Sequence, residues 1–423
     1  MDEGLQSGAH AFMKKSICIL AFSAIAQDAR VLRQIKYLSP LYDLTIIGYG
    51  SPHEAFADSP NIKWIRLSRE TQQHIPNLIT ALKNHDMRNI RIVLRIANKS
   101  TQWINKFLSW VGAYAPRAQE ILYWRQSQNQ DALRCVLSIQ CHAYHANDWN
   151  TIPIAVAAAR RNRAKLVLDL HEFAPLEYEE LPRWWIKKRF IDYILRKYSK
   201  RAHATITVAT PISERYRDEY GFYPTVIMNA PERISLEPRK MDGKNIRLFH
   251  HGGASALRHP EFMIETIAQC DKRYSLHFMF LYNEYVEELK KMSESLAPGR
   301  VFFHDPVPLE KIVIEISNFD IGFYILPPTN YNNLFALPNK FLDFICAGLA
   351  VCIGPSPSMA EIVRKYSLGV VCNTFDPQDM AAMLNQVSVE KWEEMRQAAR
   401  IASNELNAQV EMKKLVDIYS NLL

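Results

Sequence analysis

Short runs of β-branched and other apolar residues alternate along the chain with stretches whose apolar positions recur every three or four residues. In the first half, SICILAF (16–22), DLTIIGY (43–49), IKWIRL (62–67), AKLVLDL (164–170) and ATITVA (204–209) read as strands. Between them, ARVLRQIKYL (29–38) and IPIAVAAARR (152–161) read as amphipathic helices. The rhythm restarts after NAPERI (229–234), with strands at NIRLFHH (245–251), LHFMFL (276–281), VFFHD (301–305), IGFYIL (321–326), LAVCIG (349–354) and GVVCN (369–373). Strand–helix–strand alternation implies parallel sheets covered by helices on both faces. The pattern therefore predicts an α/β protein of two doubly wound, Rossmann-like units, with ligands at the carboxyl ends of the strands.

The stretch MKKSICILAFSAIAQDAR (13–30) has the outline of a signal peptide: two lysines, an apolar run and Ala-Ile-Ala. The fold argues otherwise. SICILAF is the first-strand candidate before ARVLRQIKYL, and cleavage after Ala26 would remove it. We therefore expect a strand here, with SAIAQDARV as the loop into the first helix. Residues 1–12 read as a disordered extension, 13–230 as an N-terminal unit and 231–405 as a C-terminal one. Residues 406–423 read as a helix packing back on the N-terminal unit.

Composition adds limits. With 423 residues the chain is long enough for two cores, and 48% hydrophobic with 22% charged residues is ordinary for a globular protein. No apolar run reaches the length of a membrane-spanning helix. The seven cysteines form no CxxC pair, which fits buried thiols and argues against a zinc site. The net charge of +7 is unevenly spread: residues 1–230 hold 31 Lys/Arg against 20 Asp/Glu, and residues 231–423 hold 20 against 24. The first half is built to meet something anionic. Two stretches concentrate this charge among aromatics. One is 83–125. The other, RWWIKKRFIDYILRKYSKR (183–201), has eight Lys/Arg and one acid. A solvated helix packed by one face is the plain reading of the latter. A contact with an anionic membrane surface is the sharper one. No nucleic-acid motif accompanies the charge.

Three segments carry candidate chemistry. In LPNKFLDFICAGLAVCIGPSPSMAEIV (337–363), Pro338 suits the first turn of a helix and Gly348 its end. Phe341, Phe344 and Ile345 make its buried face, with Lys340 and Asp343 off that face. Ser358 and Glu361 read as a capping box for the following helix. A carboxylate at such a position can grip vicinal hydroxyls, or simply serve the helix dipole. In HHGGASALRHPEF (250–262) a strand ends, two glycines, Gly252 and Gly253, follow as a turn, and Pro260 starts a helix. Backbone amides there favour phosphate, and Arg258 adds a bidentate charge. A plain tight turn is the alternative. His171 and Glu172 follow the strand AKLVLDL, so they should project from its carboxyl end; Asp148 and Glu177 are lesser candidates.

PNKFLDFICAGLAV resembles the "P-S-K-x-x-E-Y-x-A-x-G-x-P-V" segment of GT-B glycosyltransferases, above all the retaining family 4 of bacterial surface-polysaccharide synthesis. HANDWNTIPIA (145–155), LDLHE (168–172), ITVATPISERY (206–216) and VIMNAP (226–231) resemble further segments of that family. The resemblance implies that Asp343 binds the nucleotide ribose. It implies that Arg258, Gly252, Gly253 and Lys340 hold the donor diphosphate, and that His171 meets the donor sugar. The acid this family often has eight residues before Asp343 is Phe335 here, so backbone amides near Phe335–Pro338, or Asn332 and Asn333, would have to serve for sugar contact.

Taken together, these readings predict a nucleotide-sugar glycosyltransferase with His171, Glu172 and Arg258 as catalytic residues and no metal or cofactor beyond a UDP- or GDP-linked donor. Asp28, Arg30 and Asp148 fall on the acceptor side. The acceptor would be a glycan or a polyprenyl-diphosphate-linked glycan. The protein would then be cytoplasmic and peripheral on the membrane through residues 83–125 and 183–201, with no nucleic-acid partner. A nucleotide-sugar 2-epimerase on the same fold, and a non-catalytic sugar-nucleotide-binding module, stay open.

Overall fold

The computed structural model describes residues 14–68, 111, 115–236 and 239–423. Residues 1–13, 69–110, 112–114 and 237–238 lie outside the described residues, and the expected extension and the first basic stretch up to Trp110 fall among them. The tail of that stretch forms a helix at Pro116–Arg125.

Two parallel sheets make up the fold. One runs through β1 (Ser16–Ala24), β2 (Asp43–Tyr49), β3 (Ile62–Arg66), β4 (Ala143–Asn147), β5 (Lys165–Asp169), β6 (Ala204–Thr207) and β7 (Thr225–Val226), in the order β3-β2-β1-β4-β5-β6-β7. The other comprises β8 (Ile246–Gly253), β9 (Tyr274–Leu281), β10 (Val301–His304), β11 (Ile321–Tyr324), β12 (Ala350–Ile353) and β13 (Gly369–Val371), in the order β10-β9-β8-β11-β12-β13. The expected α/β, doubly wound architecture of two parallel sheets is therefore present. β1 is an inner strand, paired with β2 and β4, and Ile17 to Ala21 are buried. Deleting it would cut that sheet in two.

The chain divides into two compact units: residues up to Leu168 with Arg201–His203 and Tyr419–Leu423, and Asp169–Lys200 with Ala204–Ile418. In the first unit, helix α1 (Ala29–Leu38) starts at Asp28. The carboxylate of Asp28 accepts from the Arg30 and Val31 amides at 3.1 Å and from Ser23 Oγ at 2.7 Å. β4 was not expected. AYHAN is short and ends in polar residues, yet every position is buried. Burial between neighbouring strands makes it a strand, not its propensity. Its buried polar side chains reach distant partners: Asn147 exchanges hydrogen bonds with the Gln34 amide at 3.0 and 3.2 Å, and His145 Nδ1 lies 2.8 Å from Tyr419 Oη. Helix α2 (Ile152–Asn162) follows.

The second unit holds helices α3 (Trp184–Tyr198), α4 (Thr210–Tyr220), α5 (Glu261–Gln269), α6 (Asn339–Cys346) and α7 (Pro357–Tyr366), and most of α8 (Ala408–Leu422). Its core interleaves Leu248, Leu276, Phe278, Phe323 and Cys352 from the sheet with Ile264, Ile267, Met380 and Trp392 from helices. Each such large apolar side chain is worth about 1.5–3 kcal/mol on burial. α6 packs close to the sheet because Gly322 of β11 has no side chain; a Cβ there would overlap the Phe344 ring.

Three local expectations are corrected. Lys340 and Asp343 do not stand off the buried face, because every residue from Lys340 to Cys346 is buried. The capping box at Ser358 and Glu361 does not form. α7 starts two residues earlier, after Ser356, and Ser358 Oγ donates to Phe335 O at 2.9 Å. Pro338 is the residue before α6, not inside its first turn. In each case tertiary burial decides between neighbouring frames that local pattern leaves equivalent.

Candidate functional site

In the second sheet the chain reverses direction of winding between β8 and β11, the place where open parallel sheets bind ligands beyond their strand ends. A pocket of about 430 Å³ lies there. Gly253, Ser255 and Arg258 line it from the end of β8 and the turn after it, and Thr329, Asn330, Asn332 and Asn333 from the segment after β11. Glu172, Glu177 and Glu180, from the loop after β5, complete it. The Gly252–Gly253 pair does not form the turn expected from the sequence. Both residues end β8, and the turn is the 3-10 segment Ala256–Arg258 that precedes α5.

Behind Gly252 sits a buried polar pair. Lys340 Nζ lies 3.0 Å from His250 Nε2, and His250 Nδ1 donates to Phe323 O at 3.0 Å. The carbonyl can only accept, so the ring proton sits on Nδ1 and Nε2 is left to accept from the lysine. Burial pushes Lys340 well below its ordinary value, with Arg258 adding to the effect and Asp343 opposing it. Burial also pushes His250 down, helped by Lys340 and His251. Gly252 has φ +116°, and a Cβ on it would come within 3.1 Å of Lys340 Nζ. A glycine is therefore needed both for the backbone and for the lysine. Next to this pair, His251 Nε2 is 3.3 Å from Asp343 Oδ2, both side chains buried.

The pocket's other wall is stapled. The Asn332 side chain accepts from the Phe173 amide at 2.8 Å and donates to Phe173 O at 3.3 Å. The Tyr331 amide donates to Glu179 at 2.8 Å, and Asn330 donates to Glu180 at 3.3 Å. Tyr216 Oη donates to Glu172 O at 2.7 Å and accepts from the Ala174 amide at 2.9 Å. Arg215 stacks over the rings of Phe173 and Tyr331, 5.1 and 4.9 Å from their centroids.

Of the residues singled out from the sequence, Glu172, Glu177, Gly253, Arg258, Asn332 and Asn333 line one pocket. Lys340 and Gly252 stand just behind it, and Asp343 connects through His251 to the end of β8. His171 Nε2 is 3.8 Å from Asp169 Oδ1, one residue before the pocket wall. Asn332 and Asn333 both hold protein groups: Asn333 Nδ2 donates to Thr329 Oγ1 at 2.8 Å. Asp28, Arg30 and Asp148 belong to the first unit. There Asp28 caps α1 and Arg30 is buried. Asp148 holds a strained φ of 64°, rare for a residue with a side chain and frequent at functional positions. His250, His251 and Glu180 were not anticipated. The available signal was a pair of polar aromatics at a strand's carboxyl end, directly before two glycines.

Residues 72–230 match the model of Glycosyltransferase Family 4. No curated protein sequence matches the chain. Among solved structures, Anabaena Alr3699/HepE in complex with UDP-glucose is similar at TM-score 0.65 and 14% identity, over 96% of this chain and 99% of that one. Sucrose-phosphate synthase from Thermosynechococcus elongatus is similar at TM-score 0.65 and 11% identity, over 97% and 99%. A glycosyltransferase from Rickettsia africae follows at TM-score 0.62 and 12% identity, over 97% and 98%. Residues 72–230 thus resemble Glycosyltransferase Family 4, and the chain shares the GT-B fold of these solved structures.

Proposed function

We propose that this enzyme moves a hexose-type sugar from a UDP-linked donor to a glycan or polyprenyl-diphosphate-linked acceptor in surface-polysaccharide or glycolipid synthesis, with retention. The observation that carries the reading is the pocket at the β8–β11 switch point. It places Arg258 and the exposed end of β8 at its mouth and a buried lysine behind. Charge developing on a leaving diphosphate needs preorganised donors of this kind. Arg258 would take the diphosphate, Lys340 would add positive charge through the gap at Gly252, and Asp343, beside His251, would accept from the ribose. His171 and Glu172 stand at the sugar end. HepE, a structural neighbour, binds UDP and UDP-glucose, which favours UDP over other bases as the donor group.

The acceptor falls to the basic N-terminal half, with Asp148 and Arg30 as its candidate contacts. The exposed face of α3 would rest on an anionic membrane surface on the cytoplasmic side. There Trp185 and Arg189 are exposed, and Leu181 precedes them. Among the described residues no helix is long and apolar enough to cross a membrane.

A thermal-shift screen against UDP-, GDP-, ADP- and CMP-sugars tests the donor class, followed by donor turnover with lipid-linked acceptors. UDP-sugars should stabilise the protein, and Arg258→Ala should lower kcat/KM by roughly 10²–10³-fold while leaving stability near wild type. Stabilisation by none of the four sets would sink the reading. A nucleotide-sugar 2-epimerase is the second reading, favoured by the carboxylates in the pocket; it would convert its donor without any acceptor. Nucleotide binding without turnover of any kind would leave a binding module.

A further inference from the structure

The pocket brings three carboxylates, Glu172, Glu177 and Glu180, against one basic lining residue, Arg258. The two signs arrive on different segments: Arg258 on the turn after β8, the acids on the loop after β5. That loop is held in place by the Asn332 bonds to Phe173, by Tyr331 on Glu179, by Asn330 on Glu180 and by Tyr216 on Glu172 O. The acids are therefore presented by a fixed backbone. Phe335, by contrast, offers no carboxylate. Its ring packs 4.8 Å from that of Tyr331, and its carbonyl is held by Ser358. Acidic character that the segment after β11 lacks at Phe335 is supplied from the facing loop.

On the reading that this pocket takes a UDP-linked sugar, we infer that Glu177 and Glu180 select its class: a neutral, hydroxyl-rich sugar rather than a uronic or other acidic one. An ionised carboxylate only accepts hydrogen bonds, and sugar hydroxyls donate them. A diphosphate already brings two negative charges to a pocket with one lining arginine. A sugar carboxylate would add a third facing three acids, and part-sheltered like charges repel more strongly than they do in water.

Titration calorimetry on the full chain tests this with UDP, with UDP-glucose, UDP-galactose and UDP-N-acetylglucosamine as neutral donors, and with UDP-glucuronate. We expect the tightest neutral donor to bind at least tenfold better than UDP-glucuronate. In the Glu177→Gln/Glu180→Gln double variant, UDP affinity should hold while this gap shrinks below threefold. The single variants should each narrow it, which keeps the test informative if the double variant does not fold. A wild type that binds UDP-glucuronate as well as every neutral donor, or a gap unchanged in the variants, overturns the inference and leaves the UDP reading standing. If UDP itself does not bind, the reading falls and the inference with it.

Discussion

Lys340 Nζ sits 3.0 Å from His250 Nε2 in a buried pocket floor, with both groups held below their ordinary values. A base whose native value is lowered binds fewer protons folded than unfolded, so stability rises with pH between the two values. For His250 the loss begins as pH falls through its unfolded value near 6.5. His277, pushed down to about 3 by burial and His304, acts in the same window. For Lys340 stability rises with pH up to its unfolded value near 10.5. The melting temperature of the ligand-free protein should fall below pH 6.5; on the alkaline side Lys340 opposes the loss brought by buried thiols such as Cys18, whose value burial raises. Lys340→Met should steepen the alkaline loss and weaken UDP binding. An alkaline profile unchanged by that substitution would refute this account.

Gly322 and Gly253 offer a contrast in one sheet. A Cβ at Gly322 meets the Phe344 ring, whereas one at Gly253 meets nothing within 4 Å. Gly322→Ala should destabilise by about 1–3 kcal/mol through overpacking and displace α6 with Lys340 and Asp343. Gly253→Ala should leave the denaturation midpoint within error. Urea unfolding of the two variants checks the ranking.

Asn332 is the staple between the Phe173 loop and the segment after β11. Asn332→Ala strands the buried Phe173 amide and carbonyl, at a cost of about 1–3 kcal/mol. Hydrogen exchange should rise at residues 171–176 before it rises in the core strands. Protection unchanged there would mean that the aromatic contacts of Phe173 hold the loop without the amide.

α3 is the described segment to test for membrane contact. Lys187 is a poor choice for charge reversal, since its ammonium lies 3.2 Å from the Tyr178 ring centroid and is half-buried. Arg189 and Trp185 are exposed. Arg189→Glu with Trp185→Ala should reduce retention on vesicles containing anionic lipid severalfold, and added salt should reduce wild-type retention. Wild-type protein that ignores such vesicles would remove the membrane from the proposal.

Much of the fold was legible because apolar periodicity is a local record of burial. SICILAF, DLTIIGY and IGFYIL each announce a strand shielded on both faces, and their alternation with helices leaves few topologies open. AYHAN was not legible. Its hydrogen-bonding side chains find partners in Gln34 and Tyr419, far away in sequence. The site divides in the same way. Arg258, Gly253 and Asp343 stand in segments whose local chemistry marks them. That Lys340 turns inward onto His250, that His251 faces Asp343, and that Glu180 joins Arg258 at one pocket follow from how β8, β11 and α6 pack. The sequence by itself determined the strand–helix rhythm and the kinds of residue at strand ends, because those depend on neighbours a few positions away. Only the tertiary structure decided which polar groups are buried together, because burial and charge act through space and the partners are as many as 274 residues apart.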